Sequence, residues 1–245
     1  MFSTKDTFLV ADCHLDGSRP GLSQLFLQFL NAIEGAGELW ILGDFVEFWL
    51  GDDAGNPELN PVFDALAACQ AAGTNVHLMH GNRDFLIGEA FANHLGIKLH
   101  RDDEVLITLG GDKVLLMHGD TLCTDDKDYQ QFRKQIRSSA AQEQFLSLGI
   151  QERLKTANAL REQSQIASAG KEQIIMDVNE ASVVDAFTRH GVTTCVHGHT
   201  HRPNVHKHAA NESSCKRIVL GDWHDSHAMV AHSSGNNLQL INFPF

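Results

Sequence analysis

Apolar residues fall in short blocks along the first hundred positions, and the blocks switch between two periodicities. Thr7-Phe8-Leu9-Val10-Ala11, Leu39-Trp40-Ile41-Leu42 and Val76-His77-Leu78-Met79 are short apolar runs that predict buried strands. Between and after them the spacing is helical. Leu22, Leu25, Phe26, Phe29, Leu30 and Ile33 form one face; 62–72 is Ala-rich and ends near Gly73; 85–95 is closed by Gly96. Strands alternating with helices predict a parallel sheet with helices outside it. Beyond Lys98 the pattern changes. Residues 105–109 and 113–117, separated by Gly110-Gly111-Asp112, predict a β-hairpin, and 217–220, 227–231 and 238–243 predict further short strands. The expected architecture is α/β, with two packed sheets and helices outside.

Residues 127–173 break this rhythm with a long helical stretch. Tyr129, Phe132 and Ile136 share one helix face, and Leu146, Ile150 and Leu154 share another. Such faces either pack on the main core or cover a site as a lid. No repeat and no linker divides the chain, so a single domain over 1–245 is expected, with 127–173 as a helical insertion within it.

Composition narrows the function classes. A net charge of -12 argues against a nucleic-acid binder, which needs a basic face to displace counterions. It leaves room for an anionic substrate, because bound divalent cations dominate the field of a metal site. No run approaches the ~20 apolar residues of a membrane-spanning helix. The first residues lack the pattern of a signal peptide, so a cytoplasmic protein is expected. Cys13, Cys69, Cys123, Cys195 and Cys215 form no CxxC pair, which fits free thiols in a reducing compartment and disfavours a zinc–thiolate site.

The candidate chemistry sits where apolar strands end, the usual place for active sites in α/β sheets. Five motifs appear there in order: Asp12-Cys13-His14, Gly43-Asp44, Gly81-Asn82-Arg83-Asp84, His118-Gly119-Asp120 and Gly198-His199-Thr200-His201. A lone strand-end Asp is usually a cap, and Gly-Asn is a common turn; it is the joint occurrence that carries information. Asp12 and His14 alternate across Cys13, and His199 and His201 across Thr200, so an extended backbone is expected to aim each pair to one side. The glycines are expected to let the chain turn sharply at the strand ends. Imidazole, carboxylate and amide donors without thiolate favour Mn(II), Fe(II), Zn(II) or a related ion. Seven donors are too many for one such ion and suit two that share a carboxylate, the arrangement that clamps both oxygens of a phosphoryl displacement. His197 is ambiguous and is a candidate to support His199.

The ordered set D-x-H, G-D, G-N-R-D, H-G-D and G-H-x-H resembles the calcineurin-like metallophosphoesterases, whose fold is a two-sheet β-sandwich flanked by helices. The longer segments 43–49, 80–86, 117–126, 175–179 and 197–203 are similar to the UDP-2,3-diacylglucosamine hydrolase branch, which serves lipid A biosynthesis. The resemblance implies two Mn2+ ions. One would be held by Asp12, His14, Asp44 and His201, the other by Asp44, Asn82, His118 and His199, with Asp44 bridging. It implies catalytic roles for Asp44, Asn82, Arg83 and His118, and substrate contacts from Asn82, Arg83, Asp126, Ser164, Ser168, Lys171 and His199. Ser168 stands where that branch commonly has Asn. Cys13 replaces the usual Leu and is expected to point away from the metals.

The implied substrate is UDP-2,3-diacylglucosamine, cleaved to UMP and 2,3-diacylglucosamine 1-phosphate by a monomer that is peripheral on the cytoplasmic face of the inner membrane. A permanently charged Arg83 suits clamping a diphosphate, and the apolar insertion faces suit acyl chains. Arg133, Lys134 and Arg137 form a basic patch that either touches the membrane surface or is a solvated helix face. The alternatives are a phosphodiesterase or nuclease for a soluble substrate, or a scaffold that has lost its metals.

Overall fold

A computed structural model describes residues 2–169, 177–210 and 212–245, apart from the side chains of 164–169. In chain order the first half runs β1 (Asp6–Val10), α1 (Pro20–Ala32), β2 (Glu38–Leu42), α2 (Asn60–Ala71), β3 (Asn75–Met79), α3 (Glu89–Leu95) and β4 (Lys98–His100). The hairpin β5 (Glu104–Leu109) and β6 (Asp112–Met117) follows, then three helices, α4 (Lys127–Ile136), α5 (Ser139–Leu146) and α6 (Ile150–Ala169). The remainder is α7 (Glu180–His190), β7 (Thr194–His197), β8 (Asn204–Ala210), β9 (Ser213–Val219), β10 (Ala228–Ser234) and β11 (Asn237–Phe243).

Two sheets form, in the orders β11-β10-β1-β2-β3-β4 and β5-β6-β7-β9-β8. Strand alternation explains the layers. Leu9, Ala11, Trp40, Leu42 and Met79 face the second sheet and pack on Val114, Leu116, Val196 and Ile218. Their neighbours Phe8, Val10, Leu39 and Ile41 face the other way, onto Leu22, Phe26 and Phe29 of α1 and Val62 and Leu66 of α2. On the far side of the second sheet, Leu115, Met117 and Cys195 pack on Val183, Ala186 and Phe187 of α7. Both faces of the parallel strands β1–β3 are therefore covered, as their apolar runs require.

The expected two-sheet, helix-flanked α/β architecture is present, with several local differences. β10 and β11 do not stay with the later strands but extend the first sheet, β10 pairing antiparallel with β1 and β11 antiparallel with β10. Helix α3 starts at Glu89 rather than Phe85, because the Asp52 carboxylate accepts the Gly88 and Phe91 amides and caps it there. Asp112 belongs to β6: Gly110 and Gly111, both at positive φ, make a two-residue turn that pairs Leu109 with Asp112. Helix α7 was not foreseen, although Asn179 caps its start and Gly191, at φ +61°, ends it.

Away from the strand-end loops, Trp40, His77 and His100 form a stack. Trp40 and His77 are nearly parallel at 3.9 Å, and His77 Nδ1 lies 3.0 Å from His100 Nε2. Burial, then the nearby His100 and Lys98 charges, lower the His77 pKa from 6.5 to about 4. The unfolded chain therefore takes up a proton at His77 below 6.5 that the fold refuses until about 4, and stability falls as pH drops through that window. His77→Phe, which keeps a ring on Trp40, is expected to flatten the loss of the urea midpoint between pH 7 and pH 4. An unchanged slope would contradict this.

Candidate metal centre

The loops that follow β1, β2, β3, β6 and β7 converge at one end of the sheets. Beyond the strands, the parallel ladder continues as main-chain bonds from Asp12 N to Gly43 O (3.1 Å), His14 N to Asp44 O (2.9 Å) and Leu15 N to Phe45 O (3.0 Å). Asp12, His14, Asp44, His199 and His201 all hold φ between +45° and +67°. L-residues avoid this region. The expected extended alternation of Asp12 with His14 and of His199 with His201 is therefore wrong in mechanism: left-handed turns aim these side chains together. Glycine supplies clearance as well as freedom. A Cβ on Gly81 would stand 2.1 Å from Asp44 Oδ1, and one on Gly198 2.3 Å from Asp12 Oδ2.

All seven sequence-predicted donors meet here. Asp44 lies between two groups, with Oδ2 3.9 Å from His14 Nε2 and Oδ1 3.8 Å from His118 Nε2. His14 Nε2 and His201 Nε2 are 3.3 Å apart, and His201 Nε2 is 3.5 Å from Asp12 Oδ1. On the other side, Asn82 Oδ1 is 3.0 Å from His118 Nε2 and 2.9 Å from His199 Nδ1. Asp12–His14–His201 and Asp12–Asp44–His118 are each compact enough to hold a cation.

Oxygens stand behind three of the imidazoles, with a well-formed hydrogen bond at His118. His118 Nδ1 donates to Leu42 O (2.9 Å), His14 Nδ1 faces Glu47 Oε2 (3.0 Å), and His201 Nδ1 lies 3.6 Å from Asp222 Oδ2. Each arrangement turns Nε2 inward, the usual support for metal-binding histidines. Burial alone would strip charge from His14, but Glu47, Asp44 and Asp12 raise its pKa to about 9. The same carboxylates would draw a cation, which must displace that proton. His199 behaves oppositely: burial and then His118 lower it to about 4. Burial raises the Asp12 carboxyl, but hydrogen bonding and charge from His201, with His118 and His14, hold it below the ordinary carboxylate range.

His197 is not among the converging donors. Its ring is fully buried, and burial followed by the Arg217 charge lowers its pKa to about 3. Cys13 points into the helix-side core, as expected.

Two carboxylates given no role above prove structural. Asp84 accepts the Gly81 and Phe45 amides at 2.7 Å each and so ties two donor-bearing loops together. Asp120 accepts Tyr129 Oη (2.9 Å) and Arg133 Nε (2.6 Å). Burial raises the Asp120 carboxyl, yet His118, His199 and Arg133 hold it well below the ordinary range. Arg133 and Arg137 also pair with Asp103, and Arg137 donates to Gly81 O at 2.6 Å. The expected basic patch is therefore corrected: Arg133 and Arg137 point inward as anchors of α4, leaving Lys134 exposed.

A cleft of about 260 Å3 opens beside the centre. Its lining combines Asn82, Arg83, Glu47, Arg133, Arg137 and Arg161 with the apolar Trp49, Phe85, Phe132, Ile136, Phe145 and Leu160. Tyr129, Phe132 and Ile136 thus face it as expected. Leu146, Ile150 and Leu154 do not; Phe145, Ala157 and Leu160 supply the α5 and α6 side. Glu47 also holds Arg161 of α6 at 2.9 Å and lies 3.9 Å from Arg83. Of the predicted substrate contacts, Asn82, Arg83 and His199 are at the centre. Asp126 caps α4 through Tyr129 N and does not line the cleft. The Ser164 and Ser168 side chains and Lys171 lie outside the described residues.

Comparison with known proteins agrees with this geometry. The family model of the calcineurin-like phosphoesterases matches residues 7–203. The chain belongs to that family. UDP-2,3-diacylglucosamine hydrolases of Yersinia pseudotuberculosis serotype O:1b and of Yersinia pestis are each 44% identical to it over 98% of this chain and 99% of theirs. An archaeal phosphodiesterase structure aligns over 97% of the chain at 10% identity with a TM-score of 0.49. Family membership implies a dinuclear metal centre, and the residues present fit one. Asp12 Oδ1 is buried with no hydrogen-bond partner among the described residues, and the His14 and His201 nitrogens face each other as paired donors.

Asp84→Asn replaces one acceptor oxygen with a donor that opposes a backbone amide. It is expected to cost about 1–3 kcal/mol of stability and to weaken divalent-metal binding, read by thermal unfolding and titration calorimetry. Wild-type values in both would remove Asp84 from this role.

Proposed function

We propose that the chain hydrolyses the diphosphate of UDP-2,3-diacylglucosamine, releasing UMP and 2,3-diacylglucosamine 1-phosphate in lipid A biosynthesis. The observation that carries the reading is a cleft with a mostly apolar lining that also includes Asn82 of the donor set and Arg83, a combination suited to a molecule that joins acyl chains to a diphosphate. The near full-length similarity to proteins bearing that name supports it.

In this reading Asp12, His14, Asp44 and His201 hold one Mn2+, and Asp44, Asn82, His118 and His199 hold the second. When bound, the two ions supply a water of lowered pKa and neutralise charge on the phosphate oxygens. The chain's own part is positional. Asp44 turns one oxygen to each side, Leu42 O fixes which His118 nitrogen faces inward, and Asn82 Oδ1 stands between His118 and His199. Arg83 holds the diphosphate in a fixed-charge fork. It need not donate a proton, because a departing sugar phosphate has a second pKa near ~6. Asp126, Ser164, Ser168 and Lys171 complete the proposed substrate contacts.

Residues 127–173 act as a lid within a single domain over 1–245. Among the described residues no helix is long and apolar enough to cross a membrane. The proposed cytoplasmic, peripheral placement on the inner membrane draws instead on Phe132, Leu146 and Ile150, which are exposed on the insertion. A monomer is expected.

Hydrolysis in H2-18O should place the label in UMP, with Mn2+ restoring activity to metal-stripped protein. Asp44→Ala and His118→Ala should reduce turnover by about a hundred- to a thousandfold or more, the loss expected when a main electrostatic element is removed. Label in the sugar phosphate, or normal turnover in either variant, would refute the assignment. Phe132→Glu should raise KM for the diacyl substrate while sparing bis-p-nitrophenyl phosphate. Preference for the small diester in the wild type would instead favour a phosphodiesterase acting on soluble substrates.

A further inference from the structure

Behind the His199–His201 turn lies a chain of four polar side chains to which the proposed reaction gives no role. Arg217, on β9, is buried, and its guanidinium reaches two imidazoles: Nη1 is 3.0 Å from His197 Nε2 and Nε is 3.2 Å from His208 Nε2. His197 Nδ1 is 2.8 Å from Gly198 O, and His208 Nδ1 is 2.6 Å from Glu180 Oε1.

The chemistry of the end groups assigns every proton. A guanidinium can only donate, so both Nε2 atoms must accept. A carbonyl and a carboxylate can only accept, so both Nδ1 atoms must carry hydrogen. The two ends of each ring thus demand the same tautomer independently.

The consequence falls on the Gly198–His199 peptide. His197 Nδ1–H grips the carbonyl side of that peptide, while Asp12 Oδ2 accepts its N–H at 2.8 Å. The residue that follows is His199, held at φ +67°. The strand end is pinned as well, by Leu220 N to His197 O (2.7 Å) and Gly198 N to His118 O (2.9 Å). We infer that Arg217 and His197 are positioning residues: Arg217 selects the Nδ1–H tautomer of His197, and that hydrogen locks the peptide from which His199 and His201 are presented. His208 and Glu180 hold the far end of the guanidinium from the protein surface.

This rests on the proposed role of His199 and His201 as metal ligands, but its central observable does not. The 15N spectrum of the wild-type protein should show His197 protonated at Nδ1 and bare at Nε2. Protonation at Nε2 would overturn the inference, whatever the metals do. Among variants, Asn places its amide nitrogen near the position of Nδ1, and Gln near that of Nε2. His197→Gln should weaken Mn2+ binding by about 10- to 100-fold, the usual effect of losing support behind a ligand. His197→Asn should recover most of that affinity. Arg217→Met should let the Nε2–H form of His197 appear, with Arg217→Lys, which keeps a donor, between it and the wild type. Equal affinities in the Asn and Gln variants would overturn the lock, and an unaltered His197 tautomer in Arg217→Met would show that the Gly198 carbonyl alone sets it and so overturn the role of Arg217. Normal metal binding in Asp44→Ala and His118→Ala with the tautomer intact would instead count against the metal reading alone.

Discussion

Five donor-bearing residues in left-handed backbone are the constraint on which the site depends. Each such residue costs about 1–3 kcal/mol and persists only where its surroundings over-determine it. Asp12, His14 and Asp44 are held by main-chain bonds that carry the β1–β2 ladder past the end of the sheet. His199 is held by the Asp12 carboxylate on one side and the His197 ring on the other. The strain explains why carboxylates such as Asp84 spend both oxygens on backbone amides: they fix loops that would otherwise relax and scatter the donors.

Much of this was legible from residue order. The runs at 7–11, 39–42 and 76–79 gave the parallel strands, because strands covered on both faces cannot hide their apolarity. The five motifs located the centre, and all seven donors meet there. What the chain concealed was the means. An alternating D-x-H reads as extended backbone, and no local signal marks Asp12 or His14 as left-handed; that conformation is imposed by neighbouring loops. Glu47, Asp120 and Arg217 were equally hidden, since their partners lie on other elements. The insertion was half legible. Tyr129, Phe132 and Ile136 face the cleft as their spacing implies, but Leu146 and Ile150 are exposed while Phe145 and Leu160 turn inward. Spacing identifies a face without saying which of two faces the tertiary structure will use.

The insertion is bound to the site rather than laid beside it. Asp120, in the same motif as His118, gathers Tyr129 and Arg133 of α4. Arg137, just past the end of α4, grips the carbonyl of Gly81, next to Asn82. From the other side, Glu47 joins His14 to Arg161 of α6. Binding in the cleft and the aim of the donors are thereby mechanically connected through single side chains.

The anchoring of the three helices has a consequence for selectivity. Arg153 of α6 donates to the carbonyls of Leu50 and Leu148 at 2.9 Å each and pairs with Asp53, adding a buried guanidinium to the half-buried ones of Arg133 and Arg137. A cavity fastened in this way is shaped during folding, so it acts as a mould and the penalty of misfit falls on the guest. A chain one methylene too long leaves that group in water and forgoes about 0.8 kcal/mol, roughly a fourfold step in affinity. Under the proposed reading, discrimination by acyl length in such a cavity is therefore a graded ruler, with no single cutoff.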